Sequence, residues 1–302
     1  MKPPVKIGGD PEFFIANGKE MVASCDLIGG TKGAGIPFDE SLGKSAKWLE
    51  DNVAVELNFD PQDDWSSATQ MIIEVAKGMG RALKAKSLYP VIKPVIPFRP
   101  HVLTNPKALV FGCDPDFCAY DKDPKKARTL ETETFKDLRF AGGHLHLSYD
   151  NRDEVPHYAV AMILDAIVGL SLVKWDKQGE RRSRYGLAGL FRPKSYGIEY
   201  RTPSNFWLAK AYECAQSSGD THVKSSNWIS GLFMATLSVG QAVQDRPLEL
   251  SGFYSRLPFS DIRKAINNED APRAAELLNF IRNLSEYKSS GLSTSVGHGA
   301  VN

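Results

Sequence analysis

The chain has 302 residues, of which 42% are hydrophobic and 24% charged, with a formal net charge of +1. That balance excludes a disordered chain and a nucleic-acid binder working through bulk charge, and the length suffices for a substantial core. The opening Met1-Lys2-Pro3-Pro4 has no apolar signal core, and the most apolar stretch, 159–173, is short and carries Asp165, so a cytoplasmic protein without a membrane span is expected. Cys25, Cys113, Cys118 and Cys214 are scattered without a CxxC pair, as reduced thiols of a cytosolic protein would be.

In chain order, residues 5–16 read as a strand with a Gly8-Gly9 turn or bulge, and 29–43 as a glycine-rich loop. Residues 53–59 alternate apolar and polar side chains and predict a second strand, closed by Asp60-Pro61. Helical spacing through Met71, Ile72, Val75, Met79 and Leu83 predicts a helix over 66–86, capped by Ser66 or Ser67. Proline is dense over 90–106, so an extended connection without a helix is expected. A strand pair follows over 108–120, then a strand over 139–149. A long helix is expected from Pro156 to about 175, then a basic stretch (Arg181, Arg182, Arg184) and a strand over 197–202. Helices are expected over 206–215, 225–243, 259–267 and 271–287. The pattern gives an α+β fold, an antiparallel or mixed sheet with helices on one side and a helical C-terminal part. It reads as one catalytic domain over 1–288, with 289–302 a flexible tail.

Side chains two apart on a strand share a face. Polar pairs at that spacing are Asp10/Glu12, Glu56/Asn58, His144/His146 and Glu199/Arg201, with Asp114/Asp116 as a fifth. One pair alone is the ordinary solvent face of a strand. Several, each between apolar neighbours, predict a shared basin of carboxylates and imidazoles beside a guanidinium. Such clustering of negative charge favours divalent cations, and an oxygen-rich set suits Mg²⁺ or Mn²⁺. Arg181, Arg182, Arg184, Arg192 and Arg201 lead into the Glu199 strand, and guanidinium groups are suited to polyphosphate. For Arg181 and Arg182 a solvated basic loop is the competing reading. Gly43-Lys44-Ser45 is no Walker A motif, because Phe38 stands where its first glycine is required.

These motifs resemble those of the glutamine-synthetase-like carboxylate–amine ligases, and more narrowly the phage-type COOH–NH2 ligases. The resemblance rests on Glu180-Arg-Arg-Ser-Arg-Tyr-Gly186, Gly197-Ile-Glu-Tyr-Arg-Thr-Pro-Ser-Asn-Phe-Trp-Leu208, Gly142-Gly-His-Leu-His146, Asp10-Pro-Glu12 and Glu56-Leu-Asn58. It implies a curved antiparallel sheet with metals on its concave face. Carried over by position, Glu12, His144 and Glu199 hold one metal and Asp10 and Glu56 another. Arg184 and Arg201, with Arg181, Arg182 and Arg192 nearby, bind the phosphates of ATP, and Asn58, His146 and Asp116 face the substrate. The implied reaction joins a small-molecule or peptide carboxylate to an amine through an acyl phosphate, in the host cytoplasm if the gene is a phage's. Three rivals stand beside it: a guanidino phosphotransferase of the same fold, a zinc hydrolase built on His144 and His146, and a non-catalytic binding protein.

Overall fold

The computed structural model describes residues 3–109, 116–127, 137–150 and 154–293. Twelve strands occur among them: β1 (Ile7–Asn17), β2 (Glu20–Val22), β3 (Ile36–Pro37), β4 (Ala46–Asp51), β5 (Ala54–Phe59), β6 (Tyr89–Val91), β7 (Val95–Pro97), β8 (Phe117–Cys118), β9 (Leu138–Phe140), β10 (Gly143–Ser148), β11 (Leu190–Lys194) and β12 (Gly197–Tyr200). Ten form one sheet in the order β3-β4-β5-β1-β10-β12-β11-β8, with β2 and β6 on the far end of β1; β7 and β9 pair separately. Every pairing is antiparallel. The α+β class is therefore observed, with a large antiparallel sheet and a helical C-terminal part.

The period of two sorts each central strand. Ile7, Phe13, Val55, Leu57, Leu145, Leu147, Phe191, Ile198 and Tyr200 are all buried in the main core. Their registers align them across strands, with Leu147 opposite both Ile7 and Ile198, and Tyr200 opposite both Leu145 and Phe191. The alternate residues fall on the opposite face, with Asp10 opposite His144, Glu12 opposite Glu56, and His146 and Arg192 both opposite Glu199. A one-residue slip would exchange the two sets, so burial of one face fixes which side chains meet on the other.

Helices Trp65–Ala85, Phe206–Gln216 and Gly219–Asp245 pack on the apolar face. They approach closely at Gly240, where a Cβ would lie 2.6 Å from Val5 Cγ1 and 2.9 Å from Leu147 Cδ1. The first of these helices is capped by Asp64, two residues before the expected Ser66, its carboxylate accepting from the Ser66 and Ser67 N–H groups at 2.9 Å. The apolar stretch after Pro156 is helical over His157–Leu164, π-helical over Asp165–Gly169, and helical again over Leu170–Leu172. Among the described residues no helix is long and apolar enough to cross a membrane.

Several elements differ from expectation. The strand pair over 108–120 reduces to β8, preceded by a helical turn at Pro106–Leu109, with 110–115 outside the described residues. The proline-dense region holds two short strands and the 3-10 turn Pro100–Thr104. The basic stretch is a short helix, Glu180–Arg184. Strands β4 and β11 and the helix Pro247–Ser255 add to the predicted set. Packing continues past 288: the last helix runs to Ser290, and Leu292 is buried.

Candidate active site

The polar face of the sheet gathers its residues from six strands. Asp10 and Glu12 come from β1, Asp51 from the end of β4, Glu56 and Asn58 from β5, His144 and His146 from β10, Arg192 and Lys194 from β11, and Glu199 from β12. Arg201 follows β12 directly, and Asp116 precedes β8. Of the expected pair Asp114/Asp116, Asp114 lies outside the described residues, and Asp116 is buried.

Glycine makes room for the histidine strand. A Cβ on Gly142 would lie 2.2 Å from His144 Nε2, and one on Gly143 would lie 2.1 Å from the Ser204 carbonyl oxygen and 2.5 Å from Trp207 Nε1. The missing side chains let three functional segments close on one another. Gly142 N–H donates to Glu12 Oε2 (2.7 Å), Glu12 N–H to the Gly142 carbonyl (2.9 Å), and Gly143 N–H to the Pro203 carbonyl (3.3 Å). Asn205 Nδ2 donates to the Glu12 carbonyl at 2.8 Å, and Trp207 Nε1 to that of Gly143 at 2.9 Å.

One side of the basin is acidic. Carboxylate oxygens of Glu12, Asp51 and Glu56 come within 4.8 Å of one another. Burial, with Asp51 close by, pushes Glu12 up to about 8. Burial, Asp10 and Glu12 push Glu56 up to about 9, even though Asn58 Nδ2 donates to it at 2.8 Å. Burial likewise raises Asp51. A second group, Asp10, His146 and Glu199, meets the same distance condition. His146 Nε2 stands 3.1 Å from Asp10 Oδ2, and its Nδ1 is 2.5 Å from the Tyr196 hydroxyl. Burial opposes ionisation of Asp10, but His146 and His144 outweigh it and hold the carboxyl well below the usual range.

The other side is cationic. Arg201 is fully buried and pairs with Glu199. Its Nη2 donates to the Tyr185 hydroxyl at 2.5 Å, and its Nε is 3.1 Å from Asp116 Oδ1. Arg192 Nε approaches the same Asp116 oxygen at 2.9 Å, its Nη1 lies 3.4 Å from Glu199 Oε1, and Lys194 Nζ is 2.6 Å from Glu199 Oε2. Burial and Asp10 would raise Glu199, but Arg201, His144 and His146 outweigh them, and the carboxyl lies at about 2. His144 Nδ1 stands 3.1 Å from both Asp10 Oδ1 and Arg201 Nη1, and burial followed by Arg201 pushes it down to about 4. Its imidazole is therefore neutral at neutral pH.

These donors fit divalent cations. Three raised carboxyls crowd together, and His144 Nε2 is buried without a hydrogen-bond partner. Oxygen-rich sets with one imidazole suit Mg²⁺ or Mn²⁺. Two groups of possible ligands come together, His146 with Asp10 and Glu199, and Asp51 with Glu12 and Glu56, while His144 Nδ1 lies 3.1 Å from Asp10 Oδ1 and 3.6 Å from Glu199 Oε1.

The arginines separate. Arg192 and Arg201 lie in the basin, whereas Arg181 and Arg182 are buried and turned to the backbone. Arg181 donates to the Gln178 side chain and to the carbonyls of Arg201 (3.3 Å) and Thr202 (3.4 Å). Arg182 donates to the carbonyls of Gly186 (2.5 Å) and Thr202 (3.0 Å). Asp176 accepts from Ser204 N–H at 2.9 Å and from Gln178 Nε2 at 2.6 Å. This network fixes the segment carrying Arg201. Arg184 is exposed at the end of its short helix. Asp51, Tyr185, Lys194 and Tyr196 are site residues that the sequence reading missed.

Residues 90–217 match the family model described as phage phiEco32-like COOH.NH2 ligase, type 2. The matched stretch contains His144, His146, Arg192, Lys194, Glu199 and Arg201; Asp10, Glu12 and Glu56 precede it. The description of that family is of ligases that join a carboxyl to an amino group. A solved structure described as apo GmaS without ligand is similar to this chain at 12% sequence identity and a TM-score of 0.42, over 98% of this chain and 67% of that one. No curated protein matches the chain.

Proposed function

We propose that this chain is an ATP-dependent carboxylate–amine ligase that forms an amide or isopeptide bond through an acyl phosphate. The observation that carries the reading is the division of one sheet face into a carboxylate side with two cation-sized ligand groups and a cationic side built on Arg192, Lys194 and Arg201. A metal-chelated triphosphate has the matching polarity.

Asp10, His146 and Glu199 would hold one divalent ion, and Glu12, Asp51 and Glu56 another. Bound there, such ions neutralise charge on the phosphoryl oxygens. The chain's own residues position and stabilise. Arg201 is held by Glu199, Asp116 and Tyr185, so its charge needs no reorganisation when negative charge develops beside it. Arg192, on the neighbouring strand, doubles the positive field. A substrate carboxylate oxygen attacks the terminal phosphorus of ATP as the bond to ADP breaks. An amine nitrogen then attacks the acyl carbon, the carbon–oxygen bond to phosphate breaks, and one proton leaves the nitrogen. No protein nucleophile is required, in keeping with the burial of Cys25, Cys118 and Cys214. The carboxylate and the amine come from the solvent phase, in a cytoplasm.

The test is ADP release across a panel of carboxylates, with Mg²⁺ and with hydroxylamine as a surrogate amine. The reading expects hydroxamate in a one-to-one ratio with ADP. ADP release without hydroxamate from any carboxylate would overturn the acyl phosphate.

A further inference from the structure

Lys194 occupies a place that neither the motifs nor the resemblance assigns. It lies two residues after Arg192 on β11, so both side chains rise from one face of the strand, beside Glu199 on β12. The three cations Arg192, Lys194 and Arg201 are arranged around two carboxylates, Glu199 and Asp116. Their exposures differ sharply: the Arg201 side chain is 1% exposed, Arg192 13% and Lys194 33%. The two guanidinium groups are locked in by Asp116, whereas the lysine sits at the solvent side on a flexible stem.

The two oxygens of Glu199 are also unequal. Oε1 receives Arg201 and lies 3.4 Å from Arg192 Nη1 and 3.6 Å from His144 Nδ1. Oε2 faces Lys194 Nζ at 2.6 Å. A cation seated among Asp10, His146 and Glu199 would take its Glu199 ligand from Oε2, because Oε1 is surrounded by guanidinium protons. Ammonium and metal ion therefore compete for one oxygen.

We propose that Lys194 is a metal-released phosphate ligand: its ammonium occupies Glu199 Oε2 until a divalent cation takes that oxygen, and then turns to an oxygen of the bound polyphosphate. The proposal rests on the ligase reading for the identity of the phosphate. An ammonium carries three donors, and the Glu199 contact uses one of them. Displacement exchanges one cation for another at Oε2, so the buried Glu199 carboxylate is not left without a counter-charge. The device keeps Glu199 neutralised in the metal-free protein and supplies a mobile charge once metal and nucleotide arrive together.

Removing the amine should therefore move two affinities in opposite directions, which a merely structural lysine would not do. Lys194→Met and Lys194→Arg are compared with the wild-type chain by titration calorimetry, first with Mn²⁺ alone and then with ADP in saturating Mn²⁺. In Lys194→Met, Mn²⁺ alone is expected to bind at least about twofold more tightly, as befits loss of the competing ammonium. The same variant should bind ADP about tenfold or more weakly, the loss of a charge-assisted hydrogen bond. Lys194→Arg should keep most of the ADP affinity. Weaker or unchanged Mn²⁺ binding in Lys194→Met overturns the competition, and unchanged ADP binding overturns the phosphate contact. If the wild-type chain binds no nucleotide with Mn²⁺, the ligase reading fails together with the phosphate half of the proposal. Nucleotide binding that is indifferent to Lys194 removes the proposal alone.

Discussion

The two sides of the basin share one sheet face, yet they solve the burial of charge in opposite ways. Around Glu199 and Asp116 the chain supplies its own counter-charges, and Glu199 is held at about 2. Around Glu12, Asp51 and Glu56 burial outweighs the cations within reach, Lys32 among them, and pushes Glu12 to about 8 and Glu56 to about 9. A buried carboxyl without a partner keeps its proton or waits for a cation. The cationic side is thus charge-compensated in the bare chain, while the acidic side keeps raised carboxyls that a bound cation would ionise.

That difference can be attacked from either side. The largest effect is expected from Arg201→Ala, which strands Glu199 and Asp116 in the interior. Removing one partner of a buried pair costs about 3–5 kcal/mol, so chemical denaturation should show that loss. A wild-type-like midpoint would show that the cationic side is not self-compensated. Arg182→Met comes next. It removes the donors to the Gly186 and Thr202 carbonyls, and the loss of stability should be about 1–3 kcal/mol. Nucleotide affinity measured below the new melting point should be nearly unchanged, because this guanidinium faces the backbone; a large loss of affinity with intact stability would restore it to phosphate binding.

The acidic side makes a pH prediction. Glu12 and Glu56 have folded pKa values raised above those of the unfolded chain. Their contribution to stability is therefore present below about pH 4.5 and is lost as pH rises through about 8 and 9. Bound metal reverses this by favouring the ionised form. Mg²⁺ affinity should climb from pH 6 to pH 9, by about tenfold per pH unit while one proton is displaced. Calorimetry in buffers of different ionisation enthalpy would count the protons, and a pH-independent affinity would show that these carboxyls are not the ligands.

How much of this was legible in the sequence depended on alternation. Strands β10 and β12, and the polar-pair segments of β1 and β5, alternate apolar and polar residues, and their polar pairs were readable before any coordinates. Strand β4 was hidden because Trp48 and Leu49 are adjacent and both buried, which breaks the period, and with it Asp51 was lost. Strand β11 contains Pro193, a residue that speaks against a strand, and with it Lys194 was lost. The arginine run showed its composition but not its aim. A guanidinium that grips backbone carbonyls and one that waits for phosphate are the same letter, and the partners of Arg181 and Arg182 are fixed only when Thr202 folds back beside them.

The most direct test is thermal unfolding of the wild-type chain and of Glu199→Gln, with Mg²⁺ or Mn²⁺, in the presence and absence of a non-hydrolysable ATP analogue. The wild-type chain should gain about 2.7 kcal/mol from analogue at about one hundred times its dissociation constant, a shift of several degrees, and only when metal is present. Glu199→Gln should lose that shift. Stabilisation by the analogue without metal, or an equal shift in the variant, would contradict a nucleotide site completed by metal on this face.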